Sequence, residues 1–287
     1  MQTIDSQENS SPTLVILPDR LALAREAAMR FVSIARDAVV TRGQFSVALS
    51  GGSTPRDLYV LLATPEFLVQ IDWSRVHIFW GDERAVLPDH PASNYRMANE
   101  ALLSRAPIPT ENVHRIHTEL APEGAAREYE QTLREFFNPN MSLRAERSNP
   151  SFPEEIASSQ KTLLAMTGTD PRSSALVGVP SFDLLLLGLG ANGHTASLFP
   201  HTRVLRETQH WVAAEYIEEV KLWRITLTAP IINAAANILW LVAGADKAAT
   251  VREVLRGAYR PDDLPAQLIL PTHGRAVWLL DKDAARF

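Results

Sequence analysis

Apolar residues in this chain fall into short unbroken or alternating runs, separated by longer stretches in which they recur at three- and four-residue intervals. The short runs predict strands at Leu14–Leu17, Phe45–Leu49, Val76–Trp80, Val113–Ile116, Phe182–Leu187, Trp211–Tyr216, Trp223–Leu227, Asn237–Val242 and Ala276–Leu280. The longer stretches predict helices, clearest at Leu21–Val40, at Asn94–Leu103 with Ser93 as N-cap, at Glu123–Phe137, and at Lys247–Leu255 with Gly257 as its stop. Strands alternating with helices require crossover connections, so the expected fold is α/β: a doubly wound, mainly parallel, Rossmann-type sheet with helices on both faces. Leu184–Leu187 contains no polar position and reads as a strand buried on both sides.

Two stretches escape the pattern. Residues 1–12 are polar and read as a disordered tail, leaving 13–287 as a single α/β domain. Residues 138–180 are rich in Ser, Pro, Asn and Arg, hold no sustained period, and exceed the usual length of a connection. They read as an insertion, either a tolerated surface loop or an active-site lid.

Composition narrows the classes. A net charge of -5 argues against nucleic acid or an anionic membrane as partner, while leaving room for a local cationic pocket. With no cysteine, disulfides, thiolate nucleophiles and cysteine-held metals are excluded. The polar start lacks the basic and apolar regions of a leader, and no apolar run is long enough to span a bilayer. The expectation is a soluble cytoplasmic protein, a monomer or weak homo-oligomer.

Candidate chemistry gathers where predicted strands end. The stretch FDLLLLGLGANGHTASLFP, Phe182 to Pro200, passes from a buried strand through Gly188, Gly190 and Gly193 to His194, with a helix expected to follow. SGGSTP, Ser50 to Pro55, follows another strand and precedes a helix that Pro55 opens. The backbone N–H groups of Gly51 and Gly52, the hydroxyls of Ser53 and Thr54, and the helix dipole together make a phosphate cradle, or else an ordinary strand-to-helix turn. GDERAV places Asp82, Glu83 and Arg84 at a third strand end, where Arg84 suits a bidentate grip on phosphate or carboxylate. GADK adds Lys247 in a first helical turn, as an anion ligand or a solvated lysine. GLGANG matches a dinucleotide fingerprint, with Glu215 near the position of a ribose-binding acid, but it lies several βα units into the chain rather than in the first. The histidines are scattered with no helix-spaced set, so no metal is expected.

Taken together, ALSGGSTP, FWGDERAV, SNYRMANEALL, FDLLLLGLGANGHTASLFP, RITLT and GADK resemble the 6-phosphogluconolactonase family, within the wider glucosamine-6-phosphate isomerase and lactonase superfamily. The resemblance runs in order from Leu14 to the C-terminus, interrupted by the insertion. It implies a doubly wound α/β fold without cofactor, and a phosphorylated sugar lactone as small-molecule partner. The implied reaction is hydrolysis of 6-phosphoglucono-1,5-lactone to 6-phosphogluconate in the oxidative pentose phosphate pathway. It further implies that Gly51, Gly52, Ser53, Arg84 and Lys247 hold phosphate and sugar oxygens, that Arg224 of RITLT lines the pocket, and that His194 activates water. Arg84 or loop N–H groups would stabilise the oxyanion, and Asp82 or Glu83 is the alternative base. The family usually carries Asp two residues before the histidine. Here that position is Asn192, which either only positions the loop or leaves the imidazole with a different basicity. Isomerases and deaminases of the superfamily resemble one another in Met-Asp-Glu-Tyr and Gly-His-Ile-Ala-Phe-Asn-Glu-Pro stretches, where this chain has GDERAV and GHTASLFP. Sugar-phosphate sensors of the same fold carry an N-terminal helix-turn-helix, where this chain has a short polar tail.

Overall fold

The computed structural model describes residues 12–138 and 179–287, and in it the most apolar runs have become the middle of a parallel sheet. The strands are β1 (Thr13–Leu17), β2 (Phe45–Leu49), β3 (Val76–Trp80), β4 (Asp82–Arg84), β5 (Leu184–Leu187), β6 (Val212–Ile217), β7 (Leu222–Leu227), β8 (Asn237–Val242) and β9 (Arg275–Asp281). Six of them form one sheet in the order β1-β9-β8-β5-β2-β3, every pair parallel. All residues of β2 and β5 are buried: β5 is wholly apolar, and the one polar residue of β2, Ser46, bonds Asp183 through its N–H and hydroxyl; a fully buried leucine there contributes about 1.5–3 kcal/mol. The expected doubly wound, mainly parallel α/β class is the one observed. The expected tail and most of the expected insertion lie outside the described residues.

Helices cross between these strands for readable reasons. The helix Arg20–Arg42 buries Leu23, Ala24, Ala27, Ala28, Phe31, Val32, Ala35 and Ala38, a stripe at three- and four-residue spacing. Asp19 caps its start by accepting from the Ala22 N–H at 2.8 Å, and Gly43, at φ 76°, ends it in the left-handed region. Among the described residues no helix is long and apolar enough to cross a membrane.

Strand order fixes where a ligand belongs. The chain passes from β2 outward to β3, then returns to place β5 on the other side of β2 and continues to β8 and β9. The order therefore reverses between β2 and β5, and the carboxyl ends of those two strands form the crevice in which open α/β sheets bind ligands. The loops leaving them are SGGSTP and GLGANGH.

Four expectations need correction. Val113–Ile116 is not a strand: it makes a single parallel bridge, Val113 to Ile78, before the chain turns away. Asp82–Arg84, expected as a loop, is a strand. With β7 and β6 it builds a second, antiparallel sheet in the order β4-β7-β6, because the connection Glu218–Lys221 is too short for a parallel crossover. No helix follows His194. The backbone from Gly188 to Pro200 is a run of turns, since Gly193 at φ 81° and Ala196 at φ 47° interrupt any helical path. The helix near Pro55 begins two residues earlier, at Ser53, with Gly52 as its N-cap.

Near the amino end of β3, His77 Nδ1 lies 3.3 Å from His114 Nε2, and His114 stacks on Phe79 at 4.4 Å. Burial pulls both imidazoles below their ordinary value, His114 to about 4 with His77 adding to the effect. Unfolded histidine titrates near 6.5, so between about pH 6.5 and about pH 4 the unfolded chain binds more protons and stability falls as pH falls. His114→Phe keeps the stacking surface and removes the proton acceptor. Urea unfolding at about pH 7 and about pH 5 should show the variant losing less stability on acidification than the parent; equal losses would contradict the assignment.

Candidate active site

The site is built on one face of the antiparallel sheet and the two loops at the crevice. In the β4–β7 register Asp82 faces Thr226, and Arg84 faces Arg224. Alternation along the strands puts these four side chains on one side and Glu83 on the other. Glu83 is consumed by structure: its carboxylate accepts from the N–H groups of Arg84, Asn94 and Tyr95 at 2.7–2.8 Å and from Ser93 Oγ at 3.1 Å. It ties β4 to the start of the helix Asn94–Ala98 and has no oxygen to spare as a base.

Asp82 is buried and held on both oxygens, by Ser197 Oγ at 2.6 Å and by Asn94 Nδ2 at 3.3 Å. Arg84 donates through Nη1 to the Ala92 carbonyl at 2.6 Å. The Nε groups of Arg84 and Arg224 are both buried without a hydrogen-bond partner. Burial, and next the nearby Arg84, lower the Arg224 guanidinium from its usual range, while Asp82 and Glu83 oppose the shift. Two opposed guanidinium groups with unspent donors fit an anion.

The phosphate-like loop is anchored from below. The Tyr59 hydroxyl accepts from Ser50 N–H at 2.9 Å and donates to Ser50 C=O at 2.8 Å, clamping the residue that leaves β2. Gly52, at φ 106°, begins the helix Ser53–Leu62, whose first N–H groups receive no side-chain cap. Gly51 packs on Asn94, whose amide holds Asp82, so this loop and the arginine face are mechanically joined.

His194 is held on both faces and at one edge. Its ring stacks on Phe199 at 4.0 Å with the planes 12° apart, and its other face lies on the bare Cα of Gly190. Nδ1 meets Asn192 Oδ1 at 2.5 Å, and the backbone N–H of His194 reaches the same oxygen at 3.3 Å. Among the described residues nothing takes the second ring nitrogen, Nε2. Thr250 Oγ1 donates to the Ala191 carbonyl at 2.7 Å, tying the histidine loop to the helix Ala248–Arg256 that Lys247 precedes. Burial pulls His194 down to about 4. Asp82 and Glu219 raise it, whereas Arg224 and Lys247 lower it further. These surroundings keep the imidazole uncharged well below neutral pH.

Of the residues singled out by sequence, His194, Asp82, Arg84, Arg224, Asn192 and Lys247 therefore converge, with Gly51 linked to them through Asn94. Gly52, Ser53 and Thr54 stand at the adjoining helix start. Glu215 is elsewhere: it accepts from Val204 N–H at 3.2 Å and faces Arg203, leaving the dinucleotide match without its acid. Sequence reasoning missed Phe199, Ser197, Asn94, Tyr59 and Glu219. The first three lie inside motifs already singled out, whereas Glu219 carries no local signal. Among the described residues no three acidic or histidine side chains assemble as metal ligands.

The family model for glucosamine-6-phosphate isomerases/6-phosphogluconolactonase matches residues 18–278. A 6-phosphogluconolactonase of Nostoc sp. is 37% identical over 275 residues, covering 95% of this chain and 96% of the relative. The solved 6-phosphogluconolactonase of Trypanosoma cruzi superposes with a TM-score of 0.75 at 26% identity, covering 96% of each chain. A monomeric glucosamine-6-phosphate deaminase, at 20% identity and a TM-score of 0.70 over 95% of this chain and 98% of its own, shares the fold.

Two neighbouring glycines differ in what they do. A Cβ on Gly190 would fall inside the His194 ring, whereas one on Gly188 would meet only Ser50 Oγ, at 4.0 Å. Gly190→Ala should displace the imidazole and lower kcat at least a hundredfold, about the worth of a positioned base, with the fold retained; Gly188→Ala should stay near the parent rate. Steady-state kinetics beside circular dichroism check the pair, and equal effects at the two positions would contradict the geometry.

Proposed function

This chain belongs to the glucosamine-6-phosphate isomerase/6-phosphogluconolactonase family, and from that premise we propose that it hydrolyses 6-phosphoglucono-1,5-lactone to 6-phosphogluconate, with His194 as the base that activates water. The observation that carries the reading is the held, neutral imidazole beside two opposed arginines, its Nδ1 engaged by Asn192 and its Nε2 without a protein partner.

Nε2 takes a proton from water as the water oxygen adds to the lactone carbonyl carbon. The resulting oxyanion is stabilised by Arg224 or by loop N–H groups. The tetrahedral carbon then expels the ring oxygen, which receives the proton held on His194, and the carboxylic acid so formed loses the remaining water-derived proton to solvent, leaving carboxylate and hydroxyl. No covalent nucleophile is needed, because a lactone is already an activated ester. Asp82, tied down by Ser197 and Asn94, contributes through its charge: it offsets the arginines and favours the imidazolium formed during the step.

The phosphate is remote from the reacting carbon and supplies orientation. In this reading Gly51, Gly52, Ser53 and Thr54 at the helix start hold it together with Arg84 and Lys247. Support comes from the uncapped first turn of the helix Ser53–Leu62 and the unspent Nε donor of Arg84.

His194→Ala should lower kcat by roughly two to four orders of magnitude with little change in KM, the signature of a lost general base. Because the free imidazole is held near 4, kcat/KM of the parent should stay level from neutrality down to about pH 5 and fall only as the pH approaches that value. The assay is 6-phosphogluconate formation from freshly generated lactone, run beside glucosamine-6-phosphate deamination. A near-normal kcat in the variant would overturn the role of His194, and deamination without lactone hydrolysis would overturn the reaction.

A further inference from the structure

The amide of Asn192 stands between two groups of opposite demand. Its Nδ2 donates to Glu219 Oε2 at 2.8 Å, and its Oδ1 receives His194 Nδ1 at 2.5 Å and the His194 backbone N–H at 3.3 Å. A carboxylate can only accept and a backbone N–H can only donate, so the amide orientation follows from its surroundings: NH2 toward Glu219, oxygen toward His194. A carbonyl oxygen in turn can only accept. Nδ1 of the imidazole must therefore carry the proton, and Nε2 must carry the lone pair.

An asparagine is poorly suited to this duty by itself. Either end of its amide fits the same space, and a flipped amide would present NH2 to Nδ1. That would move the ring proton to Nε2 and remove the base. An aspartate has no such ambiguity, since both its oxygens accept. The chain thus has an ambiguous residue beside its histidine, oriented from one end by the His194 backbone N–H at 3.3 Å and from the other, at the shorter distance of 2.8 Å, by an acceptor-only group. Glu219 reaches this place from Glu218–Val220, in the turn between β6 and β7, 27 residues along the chain from Asn192. Its neighbour Glu218 pairs instead with Lys221.

We propose that Glu219 is a positioning residue for the hydrolytic step: by accepting from the Asn192 amide, it holds His194 in the tautomer with the proton on Nδ1 and the lone pair on Nε2. The proposal rests on His194 being the base. It deepens that reading by assigning to a carboxylate two links away the shorter of the two hydrogen bonds that orient Asn192. Glu219 does not share the charge of the imidazole through a direct bond. The other charged groups facing His194 are Asp82 from β4, Arg224 from β7 and Lys247 ahead of the helix Ala248–Arg256, and each stays in place when Glu219 is changed.

The test is a cycle of Glu219→Ala and Asn192→Asp with two readouts, steady-state kinetics and the 15N spectrum of the His194 ring. Glu219→Ala alone should lower kcat about tenfold at unchanged KM, the worth of one hydrogen bond to a charged acceptor, and its spectrum should show the Nε2–H tautomer entering. In the Asn192→Asp background the same change should cost nothing, because a carboxylate at that position cannot be misoriented. Glu219→Gln, whose carbonyl can still accept from Nδ2, should retain most of the rate. An equal loss of kcat in both backgrounds would assign Glu219 a structural role and overturn the proposal, as would an unchanged tautomer in Glu219→Ala. The spectrum reads the tautomer whether or not His194 is the base, so failure of the base assignment and failure of this proposal give different results.

Discussion

The architecture of the site turns on setting two guanidinium groups opposite each other and still folding. Arg84 and Arg224 are direct cross-strand partners, an arrangement that like charges oppose and that burial makes worse. The surrounding structure makes it tolerable. Asp82, on the same face and fixed by Ser197 and Asn94, supplies the counter-charge. Glu83, behind the strand, binds three backbone N–H groups and one hydroxyl, which locks β4 to the start of the next helix. The pair is held rigid rather than neutralised, and a site that keeps unsatisfied cationic donors in a fixed geometry is preorganised for an anionic substrate.

That same concentration of positive charge governs the histidine. Arg224 and Lys247 add to desolvation in keeping the imidazole neutral, so in its proposed role as base it is available over the whole physiological range, at the cost of being weaker than an ordinary histidine. A lactone tolerates this exchange, because its carbonyl is already activated. Asp82 and, less strongly, Glu219 pull the other way through their negative charge. Phe199 and Gly190 hold the ring from its two faces, which leaves only its edges for hydrogen bonding, one edge for orientation and the other for chemistry.

Much of this was legible in the chain. The parallel sheet could be read from fully apolar runs such as Leu184–Leu187, and the glycine-rich loops from their place at strand ends, because both signals are local. The antiparallel sheet was also readable in principle: the predicted strands Trp211–Tyr216 and Trp223–Leu227 are separated by too few residues for a crossover. Asp82–Arg84 was not, since three charged residues read as a solvated loop and become a strand only through pairing with β7. Phe199 and Ser197 lay within the histidine motif, yet their roles depend on how turns fold back, which no periodicity encodes. Glu219 had no signal at all; it sits beside Glu218 in an unremarkable acidic turn, and only the hairpin geometry separates the one that meets Asn192 from the one that meets Lys221.

Chemical rescue tests the central claim most directly, that a neutral imidazole clasped between Phe199 and Gly190 removes the proton from water. His194→Gly would leave a slot of ring shape between those residues, into which added imidazoles can enter. The account predicts that they restore lactone hydrolysis, with a rate that rises with the basicity of the imidazole supplied. If the variant still binds 6-phosphogluconate yet no imidazole of any basicity restores turnover, the histidine is not the base and the account is wrong.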